Sequence, residues 1–292
     1  MDLSIIIVNW NVESLLYRCL KSIFVFTQGI DFEVIVIDNN STDGSVQMLN
    51  ELSFEHRNLR IFFNAKNIGF AKANNQGLRA AQGKYALFMN PDMEVTENTA
   101  KKLFQYMEAH PDVGASTCQL QYSDGHRQPN VKRNPTFFSQ LWLLYKLHHF
   151  WQPKFFRNYL AKDFDYSQEQ AVEQIMGAFI FARRELMTQI GGWSEDYFVW
   201  WEDLDLCKRL QQINEKIVYL PISRVLHYEG KSFLQQKSLK RQTNFNRSML
   251  TYFRKYHRWP AWLFLKFASF DSYILSAVTQ IFKIQPKTQS KL

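Results

Sequence analysis

Two acidic side chains stand where apolar runs end, at positions suited to ligand binding. The run Val34–Asp38 closes on Asp38, and the run Ala86–Met89 leads within three residues to Asp92. Open α/β sheets place their ligands at the carboxyl ends of strands. We therefore expect both carboxylates at one edge of a sheet, where together they would serve a single nucleotide-diphosphate site.

Asp38 is suited to recognise a base. Its carboxylate would accept the ring N–H of a uracil or thymine lying across the first two strand ends. The alternative is that Asp38 caps the turn that follows it, a common role for aspartate. Asn9 at the end of the first predicted strand and Asn67 after the third favour ligand binding.

Asp92 is suited to hold a metal ion. A hard divalent cation that bridges two phosphates needs a rigidly placed oxygen ligand beside them. Asn90 is a weaker partner two residues earlier. The alternative is an N-cap role before the helix predicted from Thr96, which Pro91 makes less natural.

A third acidic group, Glu202, Asp203 and Asp205, follows a run of aromatic residues at a predicted helix start. Carboxylates at helix starts often only complement the helix dipole. A general base, however, needs a carboxylate of raised basicity in a partly desolvated wall, which aromatic neighbours supply. We select Asp203 for this role. Nearby tryptophans offer flat faces on which a ligand could stack, although residues this apolar could equally be core: Trp193, Trp200 and Trp201.

His227 follows two apolar residues, Val225 and Leu226, and has no other histidine near it in the sequence. A lone histidine is more often structural than a metal ligand, and both roles remain open from the residues alone. The adjacent His148 and His149 lie in an aromatic stretch without a neighbouring carboxylate, so we assign them to the surface or to an interface.

The elements that must position these side chains alternate from the first residues onward. Apolar periodicity predicts strands at 4–9, 33–38, 59–63, 85–90, 113–120, 174–181 and 217–220, and helices at 13–26, 45–52, 70–81, 96–110, 184–190, 205–213 and 232–256. This alternation predicts an α/β fold with a mostly parallel sheet flanked by helices. Between residues 122 and 170 the periodicity weakens and prolines interrupt it, which predicts a mobile or surface-binding insertion.

Bulk properties restrict the class of protein. The 292 residues, 46% of them hydrophobic, suffice for one large α/β domain with an appendage. The three cysteines are far apart and none has metal-binding or redox spacing, so we expect reduced, structural thiols in a cytosolic protein. The apolar start lacks a basic leader and does not read as a signal peptide. No apolar run is long enough for an ordinary transmembrane helix.

Charge divides the chain into two parts. Residues 1–227 hold 23 Lys and Arg against 25 Asp and Glu, whereas residues 228–292 hold 12 against 2. The basic tail is also rich in aromatic residues, a combination typical of segments that lie on anionic membrane surfaces. Nucleic acid would attract the same charge, but the interleaved Leu, Ile and Phe favour a membrane. The alternative is a helix that packs its aromatic face on the head.

In their order, the motifs resemble those of the inverting glycosyltransferases of family 2, in the branch that contains rhamnosyltransferase-like enzymes. Single motifs are weak evidence, but eight in the same order are specific. The resemblance covers about residues 3–232 and rests on these segments: 4–11 (SIIIVNWN), 37–45 (IDNNSTDGS), 67–77 (NIGFAKANNQG), 89–92 (MNPD), 177–179 (GAF), 191–193 (GGW), 201–207 (WEDLDLC) and 227–232 (HYEGKS).

This resemblance implies a GT-A fold over residues 1–232. The charge and aromatic content of residues 233–292 predict a basic, aromatic-rich helical tail after it. The resemblance also implies that Asp38 holds a pyrimidine, that Asp92 matches the last acid of the family's metal-binding triplet and that Asp203 matches the catalytic base of a Glu-Asp pair. His227 matches a histidine that touches the metal in some members. Asn90 departs from the Asp of many members and removes one anionic ligand. The remaining assignments are catalysis for Glu202, donor binding for Asn9, Asn67 and Asn74, and acceptor binding for Gly177, Trp193 and Trp201.

The function implied is transfer of a sugar, with rhamnose as one candidate, from a UDP- or dTDP-sugar to a membrane-linked glycan or lipid in cell-envelope polysaccharide synthesis. Mg²⁺ or Mn²⁺ would be the cofactor, and the protein would sit at the cytoplasmic face of the membrane. The alternative is a non-catalytic subunit that binds sugar nucleotides or glycans. A nicotinamide-dependent dehydrogenase is disfavoured because the first strand is not followed by a glycine-rich turn.

Overall fold

The computed structural model describes residues 1–228 and 238–281. The strands are β1 Leu3–Asn9, β2 Phe32–Asp38, β3 Leu59–Phe63, β4 Tyr85–Met89, β5 Met93–Val95, β6 Val113–Gln121, β7 Arg127–Gln128, β8 Val131–Lys132, β9 Gln170–Ala171, β10 Gln174–Ile175, β11 Phe179–Arg183 and β12 Lys216–His227. The helices are α1 Glu13–Phe26, α2 Ser45–Glu55, α3 Phe70–Ala80, α4 Thr99–Ala109, α5 Phe137–Leu144, α6 Lys154–Tyr159, α7 Arg184–Gln189, α8 Glu202–Gln212, α9 Ser238–Tyr256 and α10 Trp259–Ile281. A 3₁₀ turn covers Leu147–His149.

One large sheet carries the fold, in the order β3-β2-β1-β4-β11-β6-β12-β5. The strands β3, β2, β1 and β4 pair in parallel, as do β6 and β12, whereas β11 lies antiparallel between the two groups. The carboxyl ends of β1, β2 and β4 therefore share one edge. The predicted α/β class with a mostly parallel, helix-flanked sheet is confirmed.

Alternation along the central strands builds two core layers. Ile5 and Ile7 of β1 point into one layer with the apolar faces of α1, α2 and α4. Ile6, between them, points into the opposite layer with α3, α7 and α8. Successive strand side chains face opposite sides of a sheet, so both faces need a helical cover. This explains the nearly continuous apolar sequence of β1.

The segment between β6 and β11 is more regular than the sequence suggested. It contains the short strands β7 and β8 and the helices α5 and α6, and β8 pairs with β10 in a second, two-stranded sheet. The start of α5 is held by a reciprocal cap between Thr136 and Ser139. Phe156 and Tyr159 of α6 are buried, so the predicted loose insertion is a packed helical unit.

The tail is helical, as predicted, where the structure describes it. Helix α9 shares a buried cluster with the head, in which Tyr252 and Phe253 pack against Trp201. The alternative of a helix packed on the head therefore describes α9. The predicted helix start at residues 232–237 lies outside the described residues. Over residues 1–228 and 238–281, we find no helix that combines the length and apolarity needed to cross a membrane.

Candidate active site

The first part of the site lies where β1 and β2 end side by side. Asn9 and Asp38 are register partners, and the Asn9 amide donates to Asp38 Oδ1 at 2.8 Å. Ser41 donates to the same oxygen at 2.6 Å through its hydroxyl and to Oδ2 through its backbone N–H at 2.9 Å. Asp38 is 1% exposed. The carboxylate therefore organises the following turn, as the alternative role required, and sits at the predicted sheet edge.

Asn67 and Asn74 make local bonds in this structure. The Asn67 side chain accepts from the backbone N–H of Gly69, which shapes the turn before α3. The buried Asn74 amide donates to the carbonyl of Phe70 one helical turn earlier. Their predicted contact with a donor remains a prediction.

Asp92 and His227 form the second part of the site. They are 135 positions apart in sequence, yet β12 pairs with β5 so that His227 is the register partner of Met93. A backbone hydrogen bond from Tyr228 N–H to the Asp92 carbonyl holds these two segments of the chain together. As a result His227 Nε2 lies 3.3 Å from Asp92 Oδ1, and both residues are buried.

Gln128 completes this pair and is absent from the sequence-based assignments. It is 1% exposed, and its Oε1 lies 2.8 Å from His227 Nδ1. An amide oxygen can only accept, so His227 Nδ1 donates in this contact and Nε2 is the ring nitrogen that faces Asp92. Contact between Nε2 and the Asp92 carboxylate is favourable when Nε2 carries a proton, or when both groups bind the same cation. A second partner on the other ring nitrogen is typical of metal-ligating histidines.

The described residues contain no group of three or more His, Cys, Asp or Glu side chains that could hold a metal. The chain thus brings together two strong ligands, Asp92 and His227, with the amide of Asn90 half-buried in the same loop. A carboxylate and an imidazole fit a divalent cation whose other positions are filled by phosphate oxygens and water, as is usual for Mg²⁺ and Mn²⁺.

Asp203, the predicted base, lies in the first turn of α8 and forms the third part of the site. Its Oδ2 accepts from the backbone N–H of Gly177 at 3.0 Å, and its Oδ1 from Leu204 N–H at 2.9 Å. A Cβ on Gly177 would lie 3.1 Å from Asp203 Cβ, so the glycine permits this close approach. The next residue, Ala178, accepts from Asn90 N–H at 2.9 Å. These bonds connect the base to the loop that carries Asp92.

Electrostatics favour the protonated form of the Glu202–Asp203 pair. Desolvation raises the pKa of Asp203, and desolvation together with the adjacent Asp203 charge raises the pKa of Glu202. The backbone N–H donors and the charge of Lys132 oppose this rise at Asp203. Glu202 is 7% exposed and, within the described part of the chain, nothing bonds its Oε2. Raised basicity of this kind is what general-base work requires.

Asp205, the third acid of this group, has a structural role. It is fully buried and receives bonds from Tyr197 at 3.2 Å and Tyr256 at 2.9 Å. Arg209 Nε lies 2.6 Å away and Lys255 Nζ 3.3 Å away. Tyr256 and Lys255 belong to α9, so this carboxylate ties the tail helix to α8.

The two predicted acceptor-stacking tryptophans are core residues in this structure. Trp193 is 1% exposed, with Phe70 and Phe88 packed edge-on against its ring. Trp201 is 3% exposed and covered by α9. The core alternative therefore describes both, because protein side chains already occupy the space around their rings. Gly177 contacts the base, and its predicted contact with an acceptor remains untested.

Backbone strain accumulates just before the base. Trp200 and Trp201 both have positive φ, 64° and 70°, in the left-handed region that non-glycine residues avoid. Each such residue costs on the order of 1–2 kcal/mol. Packing holds them there: Trp201 is buried beneath α9, and Ser248 of α9 donates to the carbonyl of Val199 at 2.9 Å. Strained residues of this kind concentrate at functional sites.

Asn75 is a further residue that sequence reasoning missed. Its side chain accepts from Trp193 N–H and donates to the Trp193 carbonyl, both at 2.8 Å. Gly192, with φ 72°, leaves space for this clamp, since a Cβ there would lie 2.4 Å from Asn75 Oδ1. The signal was present in the sequence, where Asn75 and Gly192 stand in two of the motifs.

The family model described as "Glycosyl transferase family 2" matches residues 4–168 of the chain. The chain belongs to glycosyl transferase family 2. This confirms the resemblance drawn from the motifs, and the protein is a glycosyltransferase.

Among similar proteins, an N-acetylglucosaminyl-diphospho-decaprenol L-rhamnosyltransferase of Mycobacterium tuberculosis is 26% identical over 242 residues, which cover 79% of this chain and 77% of that protein. A mannosyltransferase of Pyrobaculum calidifontis in complex with GDP-Man and Mn²⁺ superposes with a TM-score of 0.60 at 18% identity, covering 96% of this chain and 75% of that one. TarS 1-349 of S. aureus in complex with UDP-GlcNAc gives 0.59 at 18% identity, covering 86% and 65%. At these identities the two solved structures show the fold.

Proposed function

We propose that this glycosyltransferase moves a sugar, with rhamnose as the first candidate, from a UDP- or dTDP-sugar to a lipid-linked glycan acceptor in cell-envelope polysaccharide synthesis. The observation that carries the proposal is the bonded path from Asp203 through Gly177 and Ala178 to the loop of Asn90 and Asp92. It joins a basic carboxylate to a pair of metal ligands. The related mycobacterial enzyme, named for a diphospho-lipid acceptor, supports the acceptor class.

In the proposed reaction, Asp203 takes the proton of an acceptor hydroxyl while its oxygen attacks the anomeric carbon. Attack from the face opposite the nucleotide inverts the configuration in one displacement. The N–H groups of Gly177 and Leu204 hold the half-buried Asp203 carboxylate in place, and desolvation raises its pKa. Asp38, ordered by Asn9 and Ser41, faces the pyrimidine.

Asp92 and His227 would hold Mg²⁺ or Mn²⁺, with Asn90 as the weaker third ligand. A bound divalent cation supplies neutralisation of the charge that develops on the leaving diphosphate. Gln128 holds the His227 ring through Nδ1, with Nε2 facing Asp92. We further propose that the protein works at the cytoplasmic face of the cell membrane, with the exposed aromatic side chains of α10 on the anionic lipid surface.

A ligand screen followed by a turnover assay tests this function. Thermal unfolding is measured with UDP-, dTDP- and GDP-sugars, each with and without Mn²⁺, because ligands specific to the native state raise its stability. We expect a pyrimidine donor with Mn²⁺ to give the largest shift, followed by slow release of nucleotide. Asp203→Asn should bind this donor and fail to turn it over, whereas Asp196→Asn, which changes an exposed acid on the loop before α8, should behave as wild type.

The competing function, a non-catalytic binding subunit, predicts a different result. It would show the same stabilisation by a donor but no nucleotide release and no transfer by the wild type. The absence of any stabilisation by the sugar nucleotides would contradict both functions.

A further inference from the structure

Exposed apolar side chains are concentrated in two segments far apart in sequence. Twelve of the twenty-one exposed large hydrophobic residues in the described part of the chain lie within residues 137–160 and 259–275. Monomeric soluble proteins rarely expose contiguous apolar patches of this kind, and such patches usually mark interaction sites. The members are Phe138, Tyr145, Phe150, Trp151, Phe155, Trp259, Phe264, Phe267, Phe270, Tyr273, Ile274 and Leu275.

The two segments form one surface, here called the aromatic face. Phe264 of α10 lies 6.3 Å, between ring centroids, from Phe137 of α5, which in turn contacts Phe138 at 5.2 Å. Phe138 contacts Phe155 of α6 at 6.4 Å. Trp142 then joins Phe155 and Trp151, both at 5.6 Å, so ring contacts run from α10 to the far end of the segment. Tyr145 also donates to Asp271 of α10 at 2.8 Å.

Charge around the aromatic face is mainly basic, and Asp271, which accepts from Tyr145, is the one acidic residue of α10. Residues 137–160 contain Lys146, Lys154 and Arg157 and no acidic residue, and α9 adds five basic residues and no acidic one. Lys266 of α10 lies over the ring of Trp262 at 5.2 Å. Aromatic side chains with basic neighbours suit the headgroup region of an anionic bilayer, where rings enter the interface and cations meet lipid phosphates.

The opposite side of the same segment meets the catalytic region. Leu144 of α5 shares a buried cluster with Trp201, the residue immediately before Glu202. Tyr159 of α6 is buried, and burial together with the nearby Asp203 charge raises the pKa of its hydroxyl to about 12. Lys132, whose charge acts on Asp203, lies 6.0 Å from the Tyr159 ring. Helices α5 and α6 thus carry both exposed rings of the aromatic face and buried residues near the base.

We propose that residues 137–160 dock the enzyme, together with α10, on an anionic bilayer through the aromatic face, and so present the head group of a lipid-linked acceptor to Asp203. The presentation of an acceptor to Asp203 rests on the proposed function. The docking surface itself includes exposed rings outside the tail: Phe138, Phe150, Trp151 and Phe155. It assigns the membrane role to a segment within the head as well as to the tail.

Point variants of the most exposed rings test the docking surface without disturbing the core. Phe150 is 88% and Trp151 64% exposed, so Phe150→Ser with Trp151→Ser should fold normally. The matched control is Phe54→Ser, which removes a ring that is 89% exposed on α2, outside the aromatic face. Flotation is measured with vesicles of phosphatidylcholine and phosphatidylglycerol, and with vesicles of phosphatidylcholine alone, at low and high salt.

We expect the double variant to lose about tenfold or more in vesicle binding, since two rings leave the interface, and Phe54→Ser to bind as wild type. Binding should require phosphatidylglycerol and weaken at high salt. Unchanged flotation of the double variant would overturn the inference. So would self-association of the wild type that the double variant abolishes without any vesicle binding, because the aromatic face would then join two copies of the chain.

Two controls separate this inference from the proposed function. Asp203→Asn should float with vesicles as wild type does, and the double variant should keep the donor-induced thermal shift. Docking without any sugar transfer would refute the proposed function alone. Transfer to a lipid-linked acceptor that is equally fast in the double variant would refute the docking role alone.

Discussion

Gln128→Ala tests how the chain prepares His227 for a metal ion. The substitution removes the acceptor 2.8 Å from His227 Nδ1 in a place where Gln128 is 1% and His227 3% exposed. A buried N–H left without a partner costs about 1–3 kcal/mol. The imidazole would then turn or change its tautomer, and Nε2 would no longer be held in place beside Asp92.

The expected magnitude is a loss of about 10–100-fold in Mn²⁺ affinity, which is typical when the partner of a metal-bound histidine is removed. It corresponds to roughly 1.4–2.7 kcal/mol, in the same range as the unpaired N–H. The assay is electron paramagnetic resonance of free Mn²⁺ during titration of the protein with UDP present.

Two comparisons make the result specific. Gln128→Glu keeps an acceptor for Nδ1–H and should retain Mn²⁺ affinity, whereas Gln47→Ala removes an exposed glutamine on α2 and should change nothing. Thermal unfolding of each variant, measured without metal, checks that the fold is intact. Mn²⁺ affinity of folded Gln128→Ala within twofold of wild type would refute the reasoning.

Three further predictions follow from the same structure. Asp92→Ala should abolish the additional stabilisation that Mn²⁺ gives to the donor-bound protein in thermal unfolding. An unchanged Mn²⁺ effect would show that the metal binds at other residues. Because desolvation raises the pKa of Asp203, the base should still be protonated at pH values where an ordinary aspartate, of pKa about 3.9, is ionised. The kcat/KM should therefore fall as pH decreases through that raised range, and a profile that stays flat down to ordinary aspartate pH would exclude Asp203 as the base. Phe253→Ala should lower the free energy of unfolding in urea by about 3–5 kcal/mol, since Phe253 is fully buried against Trp201, whereas the exposed Phe264→Ala should cost less than about 0.5 kcal/mol. A loss below about 1 kcal/mol for Phe253→Ala would mean that α9 unfolds separately from the head.

The sheet edge could be predicted because local sequence determines it. Continuous apolar runs predict strands covered on both faces, and they lead to Asn9, to Asp38 and, three residues after Met89, to Asp92. Parallel pairing then brings the ends of these strands together. The first turn of α8 was predictable for a similar reason, since three acidic residues after an aromatic run mark a helix start. These parts of the site depend on neighbours in sequence.

The parts that could not be predicted depend on distant pairing. The predicted strand 217–220 ends just before Pro221, but β12 continues to His227 through a register shift between Leu220 and Arg224. A proline is tolerated at such an irregularity because the ladder bond is already interrupted. This continuation delivers His227 to Asp92, and no local pattern indicates it.

Burial of aromatic residues was also beyond the sequence pattern. The same apolar character fits a sugar-stacking surface and a core, and only the packing of α9 over Trp201 decides between them. Gln128 gave no signal because it lies in a short strand between turns, where a glutamine is ordinarily exposed. Thr136 and Ser139 form a capping box that could have indicated the start of α5, although the sequence analysis predicted weak regular structure in this segment.

The anomeric configuration of the transferred sugar tests the central claim most directly. The donor selected by the thermal screen is incubated with a lipid-linked acceptor, and nuclear magnetic resonance of the product shows whether its anomeric centre is inverted. We predict inversion by the wild type and, for Asp203→Asn, a rate reduced by about 10²–10⁴-fold with donor binding retained. Retention of configuration, or transfer by Asp203→Asn within tenfold of wild type, would contradict a single displacement with Asp203 as its base.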